Sequence, residues 1–320
     1  VFQDGVAIWV SDDRGISARW LAISPAAVRV LAKRFLELCS DPDSDRTVVR
    51  DAGQNLYAVL VHPIESVLVP GRTIIVETDP DLGEIPMKAL LDPDGRYLGE
   101  RYPMVSSLGL YIENELNLES GYSAESKATV VTMGVGSGRI PLPDVGSEAE
   151  AVARHFSRAT VIENGEATLA AVDRALDRSE IFHFAGHFGT VDGKTGLLLS
   201  DSQQSGAHVF DVDSLTKARR ENLRLVVLSA CASALGRDGN ADDRDALVRG
   251  FLLVGTSHVI ASRWSVDSVS TTQFMERFYE ELLADNSAPQ ALWRTEATVR
   301  SRDATRHPYY WSAFDAFGLE

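Results

Sequence analysis

The chain has 320 residues, a length that fits two domains or one large domain in two parts. It carries 31 Lys and Arg against 46 Asp and Glu, a formal charge of −15. Divided at Tyr122, the two parts carry −8 and −7, so neither holds a basic arm or patch for phosphates. Direct nucleic-acid binding is therefore not expected.

Hydrophobic residues make up 44%, enough for a sizeable core and too many for a disordered chain. No apolar run approaches the roughly 18 residues of a membrane span, so no membrane partner is expected. No charged segment followed by an apolar stretch marks a signal peptide. The first residue is Val1, without an initiator Met, which points to a piece of something longer. Cys39 and Cys231 are the only cysteines. They make no disulfide framework, and a cytoplasmic location is expected.

In the first part, Gly5–Ser11 and Ile16–Ser24 read as two strands around the turn-rich Asp12-Asp13-Arg14-Gly15. An apolar-periodic helix follows from Pro25 to Cys39. The stretch Ser40-Asp41-Pro42-Asp43-Ser44-Asp45 reads as an exposed, cleavable acidic loop. Its Asp41, Asp43 and Asp45 lack the Gly and distal Glu of an EF-hand, so a calcium site is not expected. Asn55–Val69 reads as a second helix broken at Pro63. Thr73–Val76 reads as a strand, Pro103–Ile112 as irregular, and Asn117–Lys127 as a boundary.

From Ala128 the pattern changes to strands alternating with helices. Thr129–Met133 is a buried strand. Ser147-Glu148-Ala149-Glu150 has the capping-box pattern and opens a helix to His155. Thr160–Ile162, Ile181–Ala185, Gly196–Leu199, Leu223–Ala230 and His258–Arg263 read as strands. Leu169–Leu176, Asp245–Val254, Thr272–Ala284 and Pro289–Arg300 read as helices. The third of these carries Phe274, Phe278 and Leu282 at i, i+4 and i+8, the stripe of a helix laid on a sheet. The expected class is α/β, with a mostly parallel sheet covered by helices on both faces.

The chemistry concentrates at two strand ends. Ile181-Phe182-His183-Phe184-Ala185-Gly186-His187 ends at a histidine in a Gly-containing turn. Leu225-Val226-Val227-Leu228-Ser229-Ala230-Cys231 ends at a cysteine followed by the small Ala232 and Ser233. Ligands and catalytic groups collect at the carboxyl ends of parallel strands, so neighbouring strands would bring His187 and Cys231 together. An imidazole beside a thiol removes its proton and later protonates a leaving amine. The Cys231 backbone N–H, with that of Phe188 after His187, would receive the developing oxyanion. Taken singly, each residue is most simply a buried small hydrophobe or a satisfied histidine.

Further motifs complete a pattern. Val259-Ile260-Ala261-Ser262-Arg263-Trp264-Ser265-Val266-Asp267 follows the cysteine strand, and His307-Pro308-Tyr309-Tyr310-Trp311-Ser312-Ala313-Phe314 closes the chain. With the His187 and Cys231 segments, these resemble the CHAT domain, a caspase-like cysteine protease module related to separase. Leu56-Tyr57, Ile74–Pro86 and Ala89-Leu90 resemble the N-terminal part of such domains, so the resemblance covers nearly the whole chain. His187 and Cys231 are 44 residues apart, which compares with the roughly 50 of caspases.

The resemblance implies a caspase-like catalytic half over 123–320, preceded by a degenerate caspase-like companion half over 1–122. It implies His187 as general base and Cys231 as nucleophile of peptide-bond hydrolysis, through a thioester. His183, inside the strand, is read as structural or as a support to the dyad. Family members often have Gly directly after the catalytic His, where this chain has Phe188. Trp264 and the loop after it would form one wall of the pocket for the residue before the cleaved bond. Asp267 is then a candidate acceptor for a basic side chain, or alternatively the cap of the following helix. Ser268 stands where separase-like sequences carry the acid. The four closing aromatics are expected in the core.

By the same resemblance the partners are a protein substrate, a gasdermin-like or CRISPR-associated protein among the possibilities, and a regulatory or sensor domain outside this chain. The setting implied is bacterial regulated proteolysis, in antiphage defence or stress signalling. The competing reading is a catalytically silent CHAT-like scaffold or signalling adaptor. No zinc-spaced Cys/His cluster and no G-x-S-x-G motif occurs, and no cofactor or metal is expected. The Gly-rich Gly134–Gly138 lacks dinucleotide spacing and a ribose-binding acid.

Overall fold

The computed structural model describes residues 1–79, 82–109, 121–134, 141–142, 144–200, 207–217, 220, 222–231, 241–284 and 287–318. The Gly-rich stretch beyond Gly134, residues 117–120 of the expected boundary, and Ala232 and Ser233 lie outside them.

The chain opens with an antiparallel hairpin of β1 (Val6–Asp12) and β2 (Gly15–Leu21). Helix α1 (Pro25–Ser40) starts with proline in its first turn and buries Val28, Ala32, Phe35 and Cys39 along one face. Helix α2 runs over Arg46–Leu60, nine residues ahead of the expected start. The acidic loop explains the difference, because its last residue is a cap. The Asp45 carboxylate accepts from the Thr47 and Val48 N–H groups at 2.7 and 3.2 Å. Pro63 then ends α-helical pairing, and the chain tightens into a 3₁₀ turn over His62–Val67.

Strand β3 (Ile74–Glu77), helix α3 (Leu98–Arg101) and strand β4 (Met104–Ser107) complete the first part. The stretch read as irregular from Pro103 thus holds a short strand, hidden in sequence by its length and the preceding proline. Beyond it follow β5 (Lys127–Thr132), α4 (Val145–Ala153), β6 (Arg158–Glu163), α5 (Leu169–Arg178) and β7 (Ile181–Val191). Then come β8 (Lys194–Ser200), β9 (Ala207–Phe210), α6 (Val212–Leu215), β10 (Leu225–Cys231) and α7 (Ala241–Leu253). The chain finishes with β11 (His258–Ser262), α8 (Ser268–Leu283), α9 (Ala288–Arg300), α10 (Pro308–Trp311) and β12 (Phe314–Gly318).

The main sheet has the order β3-β4-β12-β11-β10-β7-β5-β6, with β8 and β9 continuing from the end of β7. Every pair along that order is parallel except β11 with β12. The α/β class with a mainly parallel sheet is therefore observed. Strands β3 and β4, from the first 122 residues, extend the sheet of the second part, joined through Phe317 of β12 opposite Ser106 of β4.

Two apolar layers sandwich the sheet. On one face Val130, Ile181, Leu225, Val227 and Ile260 meet α1, α2, α4, α8 and α9. On the other, Val131, Phe182, Phe184, Val226 and Val259 meet α5 and α7. Phe274, Phe278 and Leu282 are buried along α8, as the i, i+4, i+8 stripe required. Trp311 and Phe314 are buried and Tyr309 is nearly so, while Tyr310 is half-buried at the margin.

Two observations revise local expectations. Helix α4 begins at Val145, so Ser147 and Glu148 lie inside it rather than at its cap. Strand β7 does not stop before His187; it runs on to Val191 and turns into β8 at Asp192 and Gly193, with φ of 49° and 76°. Positive φ at both positions is what a tight hairpin turn demands. Gly196 of β8 has no room for a side chain, since a Cβ would lie 2.2 Å from the Phe210 carbonyl oxygen of β9.

His307 caps α10. Its Nδ1 accepts from the Tyr309 N–H at 3.1 Å, and its Nε2 lies 3.1 Å from the Ser44 hydroxyl. Burial, assisted by Arg46, lowers its pKa below the usual 6.5, and burial likewise lowers that of half-buried His155. Below pH about 6.5 the unfolded chain binds protons at these sites that the folded chain does not, so stability falls as pH drops from 7 towards 5. His307→Asn keeps a capping acceptor but removes that titration. The expected outcome is a smaller loss of urea midpoint between pH 7 and pH 5 than in wild type.

Candidate active site

Strands β7 and β10 are neighbours in the sheet and run parallel. The register starts with Leu225 opposite Ile181, continues with Val227 opposite His183, and ends with Cys231 opposite His187. Both segments are apolar enough to be buried on both faces, which is what central parallel strands require. Facing positions on neighbouring strands lie about 5 Å apart. The last residue of β10 is thus next to His187, at the carboxyl end of β10.

His187 also marks a change of partner. It is the last residue of β7 paired with β10, and Phe188 is the first paired with β8, opposite Leu197. The expected strand end is therefore a place where one continuous strand leaves the central sheet for a hairpin. The His187 side chain is buried, and the Phe188 ring is buried in the layer beside α5 and α7.

Four residues earlier, His183 is fully buried. Its Nδ1 lies 3.1 Å from the Tyr279 hydroxyl of α8, and its Nε2 lies 2.9 Å from Glu148 Oε1 of α4. Burial, and secondarily the nearby Glu148 carboxylate, pushes the Tyr279 phenol well above its ordinary pKa, so the hydroxyl stays a donor. Tyr279 then donates to Nδ1, and Nε2–H donates to Glu148. Both ring nitrogens are satisfied, and strand β7 is tied to two helices just below His187.

The segment after β11 divides into separate roles. Trp264 is buried and donates its ring N–H to the Tyr309 carbonyl at 3.0 Å. Asp267 is exposed and is the N-cap of α8, accepting from the Ser270 N–H at 2.9 Å. The cap alternative is thus the geometry observed, with the helix beginning at Ser268. The Ser268 hydroxyl donates to the carboxylate of Asp144, the residue that leads into α4. Ser262, the last residue of β11, donates to the Ala230 carbonyl at 2.9 Å, directly before Cys231.

Several of these contacts escape sequence reasoning. Glu148 has the look of a helix-start residue, and only the placement of α4 against β7 shows that it faces His183. Tyr279 sits in the apolar stripe region of α8 and gives no separate signal. Ser262 is one hydroxyl among many. Arg263 donates to the Gly83 carbonyl at 2.8 Å and contacts the Asp315 carboxylate, a link between segments 180 residues apart in sequence.

The second thiol is of a different kind. Cys39 is fully buried in the layer of α1, and burial alone raises its pKa well above normal. A desolvated thiol of this kind is chemically inert. Among the described residues no cluster of three His, Cys, Asp or Glu side chains has metal-binding geometry, and no helix is long and apolar enough to cross a membrane.

Two stability experiments follow from these contacts. Glu148→Ala leaves the buried His183 N–H without an acceptor and is expected to cost about 1–3 kcal/mol, with a smaller loss for Glu148→Gln, read by urea unfolding. Asp267→Ala removes a cap and is expected to cost about 1 kcal/mol, whereas Asp267→Asn retains the acceptor and stays near wild type.

Comparison with known proteins agrees with this geometry. The Saccharomyces cerevisiae separase–securin complex superposes with a TM-score of 0.54 at 13% identity, covering 94% of this chain and 20% of that one. The complex of Porphyromonas gingivalis RgpB pro- and mature domains gives 0.50 at 12% identity, covering 92% and 77%. The chain spans about a fifth of the separase chain. At these identities the likeness is one of fold, the caspase-like arrangement of a mainly parallel sheet between helices that separase and gingipain share. Among curated proteins no sequence matches. The model of the CHAT domain matches residues 50–319, and the chain belongs to the CHAT domain family.

Proposed function

We propose that the chain is a cysteine endopeptidase acting on a protein substrate, with Cys231 as nucleophile and His187 as general base and acid. The observation that carries this reading is the register of β7 and β10, with Cys231 opposite His187 at the carboxyl end of β10. Membership of the CHAT family and the fold shared with separase and RgpB support it.

In this mechanism His187 takes the proton of the Cys231 thiol, and the sulfur attacks the scissile carbonyl carbon. The carbonyl oxygen becomes an oxyanion, received by the backbone N–H groups of Cys231 and Phe188. The C–N bond then breaks as the imidazolium returns its proton to the amine, leaving a thioester on sulfur. Water, deprotonated by His187, attacks the thioester and releases the carboxylic acid, and the thiol is restored. His183, held by Glu148 and Tyr279, fixes the strand that carries the base.

Residues 1–122 serve in this reading as a supporting half, and the setting is regulated proteolysis in a bacterial cytoplasm. Asp267 and Ser268 line the approach to the residue before the cleaved bond, with Trp264 as the wall behind them.

The decisive experiment is digestion of a mixed peptide library, read by mass spectrometry. Wild type is expected to cut it, and Cys231→Ala and His187→Ala to abolish all cuts while remaining folded. Wild-type turnover by either variant would remove the dyad. Labelling with iodoacetamide at pH 6 should modify Cys231 and spare Cys39, whose thiol is buried with a raised pKa. Equal, slow labelling of both would favour a silent scaffold. Because Asp267→Asn keeps the helix cap, loss of cuts after Arg or Lys in that variant isolates recognition by its charge.

A further inference from the structure

Strand β10 is held on both sides for only part of its length. Its ladder with β11 runs from Leu225 opposite His258 to Leu228 opposite Ala261 and stops there. Its ladder with β7 continues to Cys231 opposite His187. Among the described residues, Ser229, Ala230 and Cys231 therefore have a backbone ladder on the β7 side and none on the β11 side. A nucleophile placed there depends on what replaces the missing rungs.

The direction of the backbone groups locates the gap. Leu225 donates its N–H to the Glu180 carbonyl, on the β7 side, and the Arg224 carbonyl accepts from the His258 N–H, on the β11 side. Backbone groups alternate sides along a strand, so the Ala230 carbonyl, an even number of residues after Arg224, also turns to the β11 side. Ala230 is buried, and a buried carbonyl needs a partner. The Ser262 hydroxyl, itself buried, supplies one at 2.9 Å.

The donor is in turn held in place. Ser262 is paired with Phe314 of β12, and the next residue, Arg263, donates its N–H to the Ala313 carbonyl at 2.6 Å. The Arg263 side chain reaches the Gly83 carbonyl at 2.8 Å and contacts the Asp315 carboxylate. One hydroxyl thus carries the rigidity of β11 and β12 to the end of β10. The Ala230 carbonyl and the Cys231 nitrogen belong to one planar peptide unit, so holding the first places the second.

We propose that Ser262 is a positioning residue for the nucleophile, its hydroxyl taking the place of the missing β11 ladder and keeping Cys231 opposite His187. The inference rests on the peptidase reading above. Without the hydroxyl, the end of β10 moves on its β7 ladder alone, and the thiol spends less time within reach of the imidazole. A sulfur that is deprotonated less often attacks more slowly, while substrate binding is untouched.

The test compares wild type, Ser262→Ala and Ser262→Thr as full chains. Cys39 and Cys231 are the only cysteines, so ¹⁵N-cysteine labelling gives one amide signal for the site and one internal reference. In Ser262→Ala the Cys231 amide nitrogen is expected to shift, because the carbonyl bonded to it has lost its donor, and the Cys39 signal to stay. Alkylation of Cys231 by iodoacetamide at pH 6 is expected to slow about tenfold, the scale of one hydrogen bond. At pH 9, where a thiol ionises without a base, the two forms should react alike. Peptide cleavage should lose about tenfold in kcat with KM unchanged. Ser262→Thr, which keeps the hydroxyl, should return each reading to wild type. An unmoved Cys231 amide, or wild-type kcat and wild-type alkylation at pH 6 in Ser262→Ala, overturns the positioning role and leaves the peptidase standing. Equal slowing at pH 6 and pH 9 would mark a general loss of the site and overturn it as well. A wild type that cuts no peptide, with alkylation at pH 6 that still depends on Ser262, sinks the peptidase and keeps the positioning role.

Discussion

The parallel pairing of β7 with β10 is the constraint from which the rest of the site follows. A one-residue slip between two strands would exchange their faces and put Phe182 and Phe184 where His183 and Ala185 lie. Both faces of β7 are filled, by Phe182 and Phe184 towards α5 and α7 and by Ile181 and the His183 group towards α4 and α8. Burial on both sides leaves the register no slack, so residues at the carboxyl end are placed by the packing of the middle. Chemistry held on strands in this way is positioned more tightly than chemistry held on loops alone.

A second constraint joins the two parts of the chain. Lys88, in the turn at 87–89, pairs with Glu296 of α9, lies 3.7 Å from Asp315 of β12, and donates to the Phe314 carbonyl. All three charged groups are buried. Burial raises the pKa of Glu296, and the Lys88 charge opposes that rise. Taking such charges from water is costly, and removing one partner leaves another stranded, typically at about 3–5 kcal/mol. Residues 82–88 are therefore committed to β12, and through Arg263 they also hold the start of the 264–267 loop. The first part of the chain thus acts on the edge of the sheet as well as extending it.

Much of this was legible in the sequence where a strong period or a capping residue was present. The stripe on α8, the Leu- and Val-rich run of β10 and Pro25 at the start of α1 each carry a local physical cause. The juxtaposition of His187 with Cys231 was legible because strand ends collect on one edge of a parallel sheet. Features whose cause is distant were not. β4 is four residues long, and β12 closes the sheet with aromatics that read as core without showing direction. The continuation of β7 past His187 depends on β8 folding back onto it, a pairing that a Gly-containing sequence does not announce. Asp45 and Glu148 were mistaken in opposite senses: a loop acid proved to be a cap, and a residue beside an apparent cap proved to be a buried partner.

The two histidines of β7 show why residue type alone underdetermines role. They are four positions apart on one strand, so alternation gives them the same face. His183 lies where helices α4 and α8 close over the sheet, and a carboxylate and a phenol consume both its nitrogens. A ring held in that way can orient a strand but has no nitrogen left for a substrate. His187 lies at the point where β7 changes partners and β10 ends. The same side chain is thus a fastening at His183 and, in the function proposed, the base at His187. What separates them is their place along β7, His183 against two helices and His187 at the change of strand partner.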